Sequence, residues 1–62
     1  MPFQIAEVSA YRGELDLAFQ WLERARTLHD TGLLELKGDP LLRNLEQDPR
    51  YRAFLATMKL PQ

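Results

Sequence analysis

Residues 14–29 carry apolar side chains over more of a helix surface than a single neighbour can cover, and this limits the possible folds more than any other feature of the chain. At about 100° per residue, Leu15, Ala18, Phe19, Leu22 and Ala25 fall on one helix face, and Leu17, Trp21 and Leu28 fall on a second face beside it. Asp16, Gln20, Glu23, Thr27 and Asp30 keep only a polar strip, so the apolar arc covers roughly 200° instead of the usual 100° or so. A helix of this kind, running from about Glu14 to His29, is expected to be central and to have neighbours on both sides.

Pro2, Gly13, Gly32, Gly38, Pro40, Pro49 and Pro61 divide the chain into helix-length pieces, none with the alternation of a strand, so the fold class is all-α. Pro2 suits the first turn of a helix over Phe3 to Arg12, and Gly13 can take the left-handed conformation that ends it. One side of this helix holds Ile5, Val8, Ser9 and the stem of Arg12, and the other holds Phe3, Glu7, Ala10 and Tyr11. Small residues at Ala6, Ala18 and Ala25 let two helix axes approach closely. A tight antiparallel hairpin over residues 1–30 is the expectation.

Residues 31–62 read as short capping helices that complete one compact domain with the hairpin. Asp30 or Thr31 can cap one or two turns over Leu33 to Leu36, stopped near Gly38. Asp39-Pro40 and Asp48-Pro49 each place a capping carboxylate just before a first-turn proline, and each has an arginine four residues after the aspartate, Arg43 and Arg52. In the last helix, about Pro49 to Leu60, Tyr51, Phe54, Leu55 and Met58 recur at i, i+3, i+4 and i+7. This helix is expected to close as a lid over the Leu17, Trp21 and Leu28 arc.

A chain of 62 residues buries only about 60% of the surface that its unfolded form exposes. At 45% hydrophobic and 27% charged residues it has the composition of a folded domain, yet it has no cysteine to supply disulfides or thiolate metal sites. Self-association, or attachment to a longer array, is the remaining route to stability. Eight basic residues are dispersed among nine acidic ones for a net charge of -1, which favours neither nucleic acid nor an anionic membrane as partner. Apolar runs of no more than four residues fall far short of the roughly 20 of a membrane span, and the N-terminus lacks the order of a signal peptide, so a cytoplasmic location is expected.

The run Ile5-Ala6-x-x-Ser9-x-x-x-Gly13-x-Leu15-x-x-Ala18-x-x-x-Leu22-x-x-Ala25 resembles a tetratricopeptide (TPR) repeat. Ala6, Gly13, Ala18 and Ala25 stand at that family's small positions, while Ser9 replaces a large aromatic and Asp30 a closing proline. The wording from Ala18 to Ala25, followed by leucine-rich turns and the two Asp-Pro starts, is similar to the C-terminal end of bacterial TPR arrays, including tails of signalling and regulatory proteins. The resemblance implies a last repeat plus a cap, with no chemistry of its own. The family's groove is lined by the first helix of each repeat, which maps onto Phe3, Gln4, Glu7, Ala10 and Tyr11. The carboxylate-clamping subgroup has lysine and asparagine there; this chain has Phe3 and Glu7, so clamping is not expected.

Residues that suggest chemistry have simpler readings. His29, near Asp30, Glu35 and Asp39, suits a helix C-terminus, and no set of metal ligands or nucleophile with base completes it. Glu14 and Asp16 suit the positive end of the second helix. Arg50, Tyr51 and Arg52 put cations around an aromatic, but Tyr51 belongs to the apolar face and Asp48 stands four residues from Arg52. Trp21 is expected in packing beneath the tail rather than as an interface anchor. The glycines form no phosphate loop.

The expected function is therefore a non-catalytic protein-interaction or assembly module, with Phe3, Gln4, Glu7, Val8 and Tyr11 as the candidate partner-binding set and no catalytic, cofactor or metal residues. The alternative is the C-terminal regulatory tail of a larger bacterial signalling or transcription-regulatory protein; Met1 directly before a helix start favours a complete small protein. The partner is expected to be protein, not nucleic acid or membrane. The Ile5 and Val8 side, left open beside Phe3 and Tyr11, points to a two-fold homodimer. A monomer in which Leu33 to Leu45 folds over that same side is the competing arrangement.

Overall fold

Helices start and stop where backbone groups find partners, and here most of those partners are side chains at the positions the sequence marks. A computed structural model describes residues 1–58. It is all-α, with helix α1 at Pro2–Tyr11, α2 at Leu15–Thr27 and α3 at Pro49–Thr57, and two 3-10 helices at Thr31–Glu35 and Pro40–Leu45. Leu60, the expected end of the last helix, lies outside the described residues.

α1 and α2 both end in the same way. Gly13 takes a φ of +81°, and the Glu14 N–H reaches back to the Ser9 carbonyl at 2.9 Å. At the end of α2 His29 takes the left-handed conformation with φ +55°, and the Asp30 N–H bonds the Ala25 carbonyl at 2.9 Å. Both are Schellman closures, in which a left-handed residue lets a following N–H satisfy a carbonyl of the last turn. Glycine fits this conformation freely, whereas histidine enters it at a cost.

The three aspartates cap as expected. Asp30, Asp39 and Asp48 accept from the backbone N–H of Gly32, Leu41 and Arg50, each at 2.9 Å. The first two start 3-10 helices rather than α-helices, because Gly38 and the Asp48-Pro49 break leave pieces of 5 and 6 residues, too short for an α-helical ladder to propagate. Asp48 pairs with Arg50 at 2.8 Å instead of with Arg52.

α1 packs against α2 through the small residues: Ala6, Ala10, Ala18 and Ala25 are fully buried with Leu22. The core continues through Phe3, Phe19, Leu33, Leu36, Leu42, Leu45, Phe54 and Leu55. The leucine-rich segment does cross α1, but not over Ile5 and Val8. It covers the opposite side, where the Asn44 side-chain amide donates to the Ala10 carbonyl at 2.9 Å. Gly32 lies so close to Phe3 that a Cβ there would stand 2.7 Å from the ring.

The lid forms in a different place from the one expected. Phe54 and Leu55 are buried, with Tyr51 and Met58 half-buried against the core, yet Leu17 and Leu28 remain exposed. α3 lies along Asp16, Phe19, Gln20 and Glu23, where it bounds a shallow depression. The Arg50 guanidinium sits 4.5 Å from the centre of the Phe19 ring and donates to Asp16 at 2.8 Å. Around the α2 axis, Phe19 stands roughly 160–180° from Leu17 and Leu28, so an element anchored at Phe19 leaves them uncovered.

Two substitutions should move stability in opposite directions. Ala18→Leu overpacks the hairpin seam and is expected to cost about 1–3 kcal/mol, with a lower melting midpoint. His29→Gly keeps the Schellman closure and removes the left-handed strain, so its midpoint should rise by the equivalent of about 0.5–1 kcal/mol. Circular-dichroism melts of both variants beside the parent check the pair; a neutral Ala18→Leu would contradict the alanine seam.

Candidate functional site

Each helix of the hairpin carries one stripe of positions at i, i+4, i+7 and i+11: Met1, Ile5, Val8 and Arg12 on α1, and Leu17, Trp21, Arg24 and Leu28 on α2. Residues so spaced stay within a narrow sector of a helix. The α1 stripe lies opposite Phe3 and Ala10, which face the tail. The α2 stripe lies opposite Phe19, which faces α3. Both stripes therefore share the outer face of the hairpin.

This face is mainly apolar and open to solvent. Met1 is 68% exposed, Ile5 40%, Val8 54%, Leu17 41% and Leu28 58%, with Tyr11 at its margin. Trp21 packs partly on the core. The Arg24 guanidinium stands 5.9 Å from the centre of the Trp21 ring, within range for a cation–π contact. Leu17, Gln20, Trp21, Arg24 and Leu28 help to line an open groove of about 640 Å³. Two carboxylates border these stripes: Glu14 at the hairpin turn, 3.7 Å from the Arg12 guanidinium, and Glu23, which also lines the groove.

The candidate set read from the sequence is divided by the fold. Val8, Tyr11 and Gln4 are exposed, with Val8 in the open stripe. Phe3, expected to be exposed and partner-facing, is only 4% exposed. The tail returns over it: side-chain-free Gly32 admits the ring, and the Asp30 carboxylate accepts from the Phe3 N–H at 3.1 Å. Glu7 is half-buried beneath the same segment. Leu17, Trp21 and Leu28, expected as core beneath a lid, belong instead to the open face; the width of the apolar arc carries that signal.

Several polar groups elsewhere hold the fold together. Arg50 is held by Asp48, Asp16 and the Phe19 ring together; its hydrogen bonds to Asp48 and Asp16 raise its pKa still further, and the bonds from Arg50 lower that of Asp48. Ser9 is buried near the turn end of α1, whereas His29 lies at the far end of α2. Among the described residues, no three His, Asp or Glu side chains gather closely enough to hold a metal ion, and no helix is long and apolar enough to cross a membrane. Compared with protein-family models, with curated proteins and with solved structures, the chain gives no significant match.

Among the described residues Glu7 is the one strongly perturbed acid. Burial beneath the tail, a hydrogen bond with Asp39 and the charges of Asp39 and Glu35 raise its pKa from 4.5 to about 7. Asp30 is shifted the other way, by the N–H groups of Gly32 and Phe3.

The two directions set opposite pH limits. The stability supplied by protonated Glu7 is complete below about 4.5 and is lost as pH rises through about 7. The contributions of Asp30 and Asp48 are complete above the usual carboxylate range and are lost as pH falls through their lowered values. Stability should peak in mild acid and decline toward pH 8. Glu7→Gln should remove most of that decline and raise the midpoint at pH 8; a parent melting midpoint that is flat from pH 5 to 8 would contradict the assignment.

Proposed function

We propose that this chain is a non-catalytic protein–protein interaction module of tetratricopeptide type, binding through the outer face of its hairpin. The observation that carries the reading is the uneven closure of the molecule. The tail seals the Phe3 side of α1 and the Phe19 side of α2, while Met1, Ile5, Val8, Leu17 and Leu28 stay open on the remaining side. Contiguous exposed apolar side chains of this kind mark interaction surfaces. The antiparallel hairpin with alanines at the seam accords with the TPR resemblance, and a cytoplasmic, bacterial setting goes with it. In this reading Val8 and Tyr11 remain binding residues, Gln4 lies at the margin, and Leu17, Trp21 and Leu28 take the place of Phe3 and Glu7.

A second reading shares the same observation. A tail that seals one side of a hairpin and leaves the other open has the form of an array end, so the module also fits as the C-terminal cap of a larger regulatory protein.

Site-specific photocrosslinking in cells tests the proposal. A photoreactive amino acid at Val8 or Leu28 should give discrete protein adducts, and one at Glu46, on the tail, should give none. Equal labelling from all three positions, or none from any, would overturn it.

A further inference from the structure

The α2 stripe has a symmetry that identifies its own complement. Leu17 and Leu28 are centred on the same point of the helix, between Leu22 and Glu23, as are Trp21 and Arg24. A two-fold axis through that point turns the stripe onto itself with the helices antiparallel. Leu17 then meets Leu28 of the partner subunit, and Trp21 meets Arg24 of the partner subunit. All four contacts are favourable: two aliphatic pairs at the ends and two cation–π pairs between them. The spacing of 4, 3 and 4 residues is that of the a and d positions of paired helices.

Resting on the interaction-module reading, we infer that the occupant of the outer face is a second copy of this chain, docked with α2 antiparallel to its symmetry mate. The α1 stripe, with the same spacing, widens the contact so that hairpin meets hairpin as a four-helix bundle. The carboxylates near this arrangement are already paired. Asp16 is engaged by Arg50 on the α3 side, Glu23 at the edge of the groove is paired with Arg26, and the Arg12–Glu14 pair sits at the hairpin turn, so docking leaves none of the three without a cation. A stable dimer removes about 800 Å² from each partner, so the two stripes together have to give up about a fifth of the 4347 Å² of this chain. The isologous contact closes on itself, so assembly stops at two.

The chain contains no cysteine, which makes crosslinking unambiguous. Leu17→Cys and Leu28→Cys are made separately at exposed positions, checked for parental helicity, mixed and mildly oxidised. The antiparallel dimer brings the thiol introduced by Leu17→Cys in one protomer to the thiol introduced by Leu28→Cys in the other. Two thiols from Leu17→Cys alone stand roughly 16 Å apart along the axis, beyond disulfide reach. Expected are a doubled mass for the parent by light scattering, efficient crosslinking in the mixture and little in either variant alone. Arg24→Glu, which replaces the cation over the partner's indole, should weaken the dimer by about tenfold. A monomeric mass across a dilution series overturns the inference, as does a dimer in which the Leu17→Cys variant crosslinks to itself. A monomer that still gives larger, heterologous adducts from Val8 and Leu28 refutes self-association and leaves the interaction module standing; loss of those adducts too refutes both.

Discussion

One carboxylate connects the parts of this molecule. Asp30 accepts from the Gly32 N–H at 2.9 Å, starting the tail, and from the Phe3 N–H at 3.1 Å, 27 residues away. α1 has no capping side chain of its own at Met1, so the cap missing from its first turn comes from the end of α2. Orphan N–H groups at a helix start need a partner. By bonding both groups, Asp30 fixes where α1 begins, where α2 stops and the direction in which the tail leaves. The left-handed turn at His29 aims the carboxylate there, and the missing side chain at Gly32 lets the tail pass over the Phe3 ring.

From these constraints the distribution of surface follows. Once the tail crosses α1 at Phe3, the second 3-10 helix continues beside Ala10, and α3 reaches α2 from the Phe19 side. Arg50 secures that approach through Asp16, Asp48 and the Phe19 ring. The tail has only one side of the hairpin to cover, and the aliphatic stripes stay outside. Several carboxylates gather with the tail, Glu7 against Asp39 and Glu35 among them, while Glu14 and Glu23, each paired with an arginine, border the open face.

Much of this is legible in the residues. Helix starts at Asp39-Pro40 and Asp48-Pro49, the turn at Gly13 and the seam of Ala18 and Ala25 all rest on local chemistry within a few residues, and the limits of α1 and α2 fall within one or two residues of those expected. The path of the tail depends on contacts between distant residues: Phe3 with Asp30, Asn44 with Ala10, Arg50 with Asp16. Periodicity places side chains around the axis of their own helix and is silent on which neighbour takes which side. It therefore puts Phe3 wrongly on the outside and Trp21 wrongly beneath a lid, although the angular position of each is correct. The perturbation of Glu7 is equally out of its reach, since it arises from burial beneath the tail and from Asp39 and Glu35 folded back beside it.

The 3-10 character of the tail grades the molecule's resistance to opening. Its backbone bonds close shorter, poorer rings than those of α1 and α2, and what holds it is the burial of Leu33, Leu36, Leu42 and Leu45. Local opening free energies follow such differences, from near zero at frayed segments to the global value in the core. Amide protons of residues 31–45 thus exchange through smaller, more frequent excursions than those of the alanine seam. Each excursion briefly wets Phe3 and Ala10 while the hairpin itself stays paired.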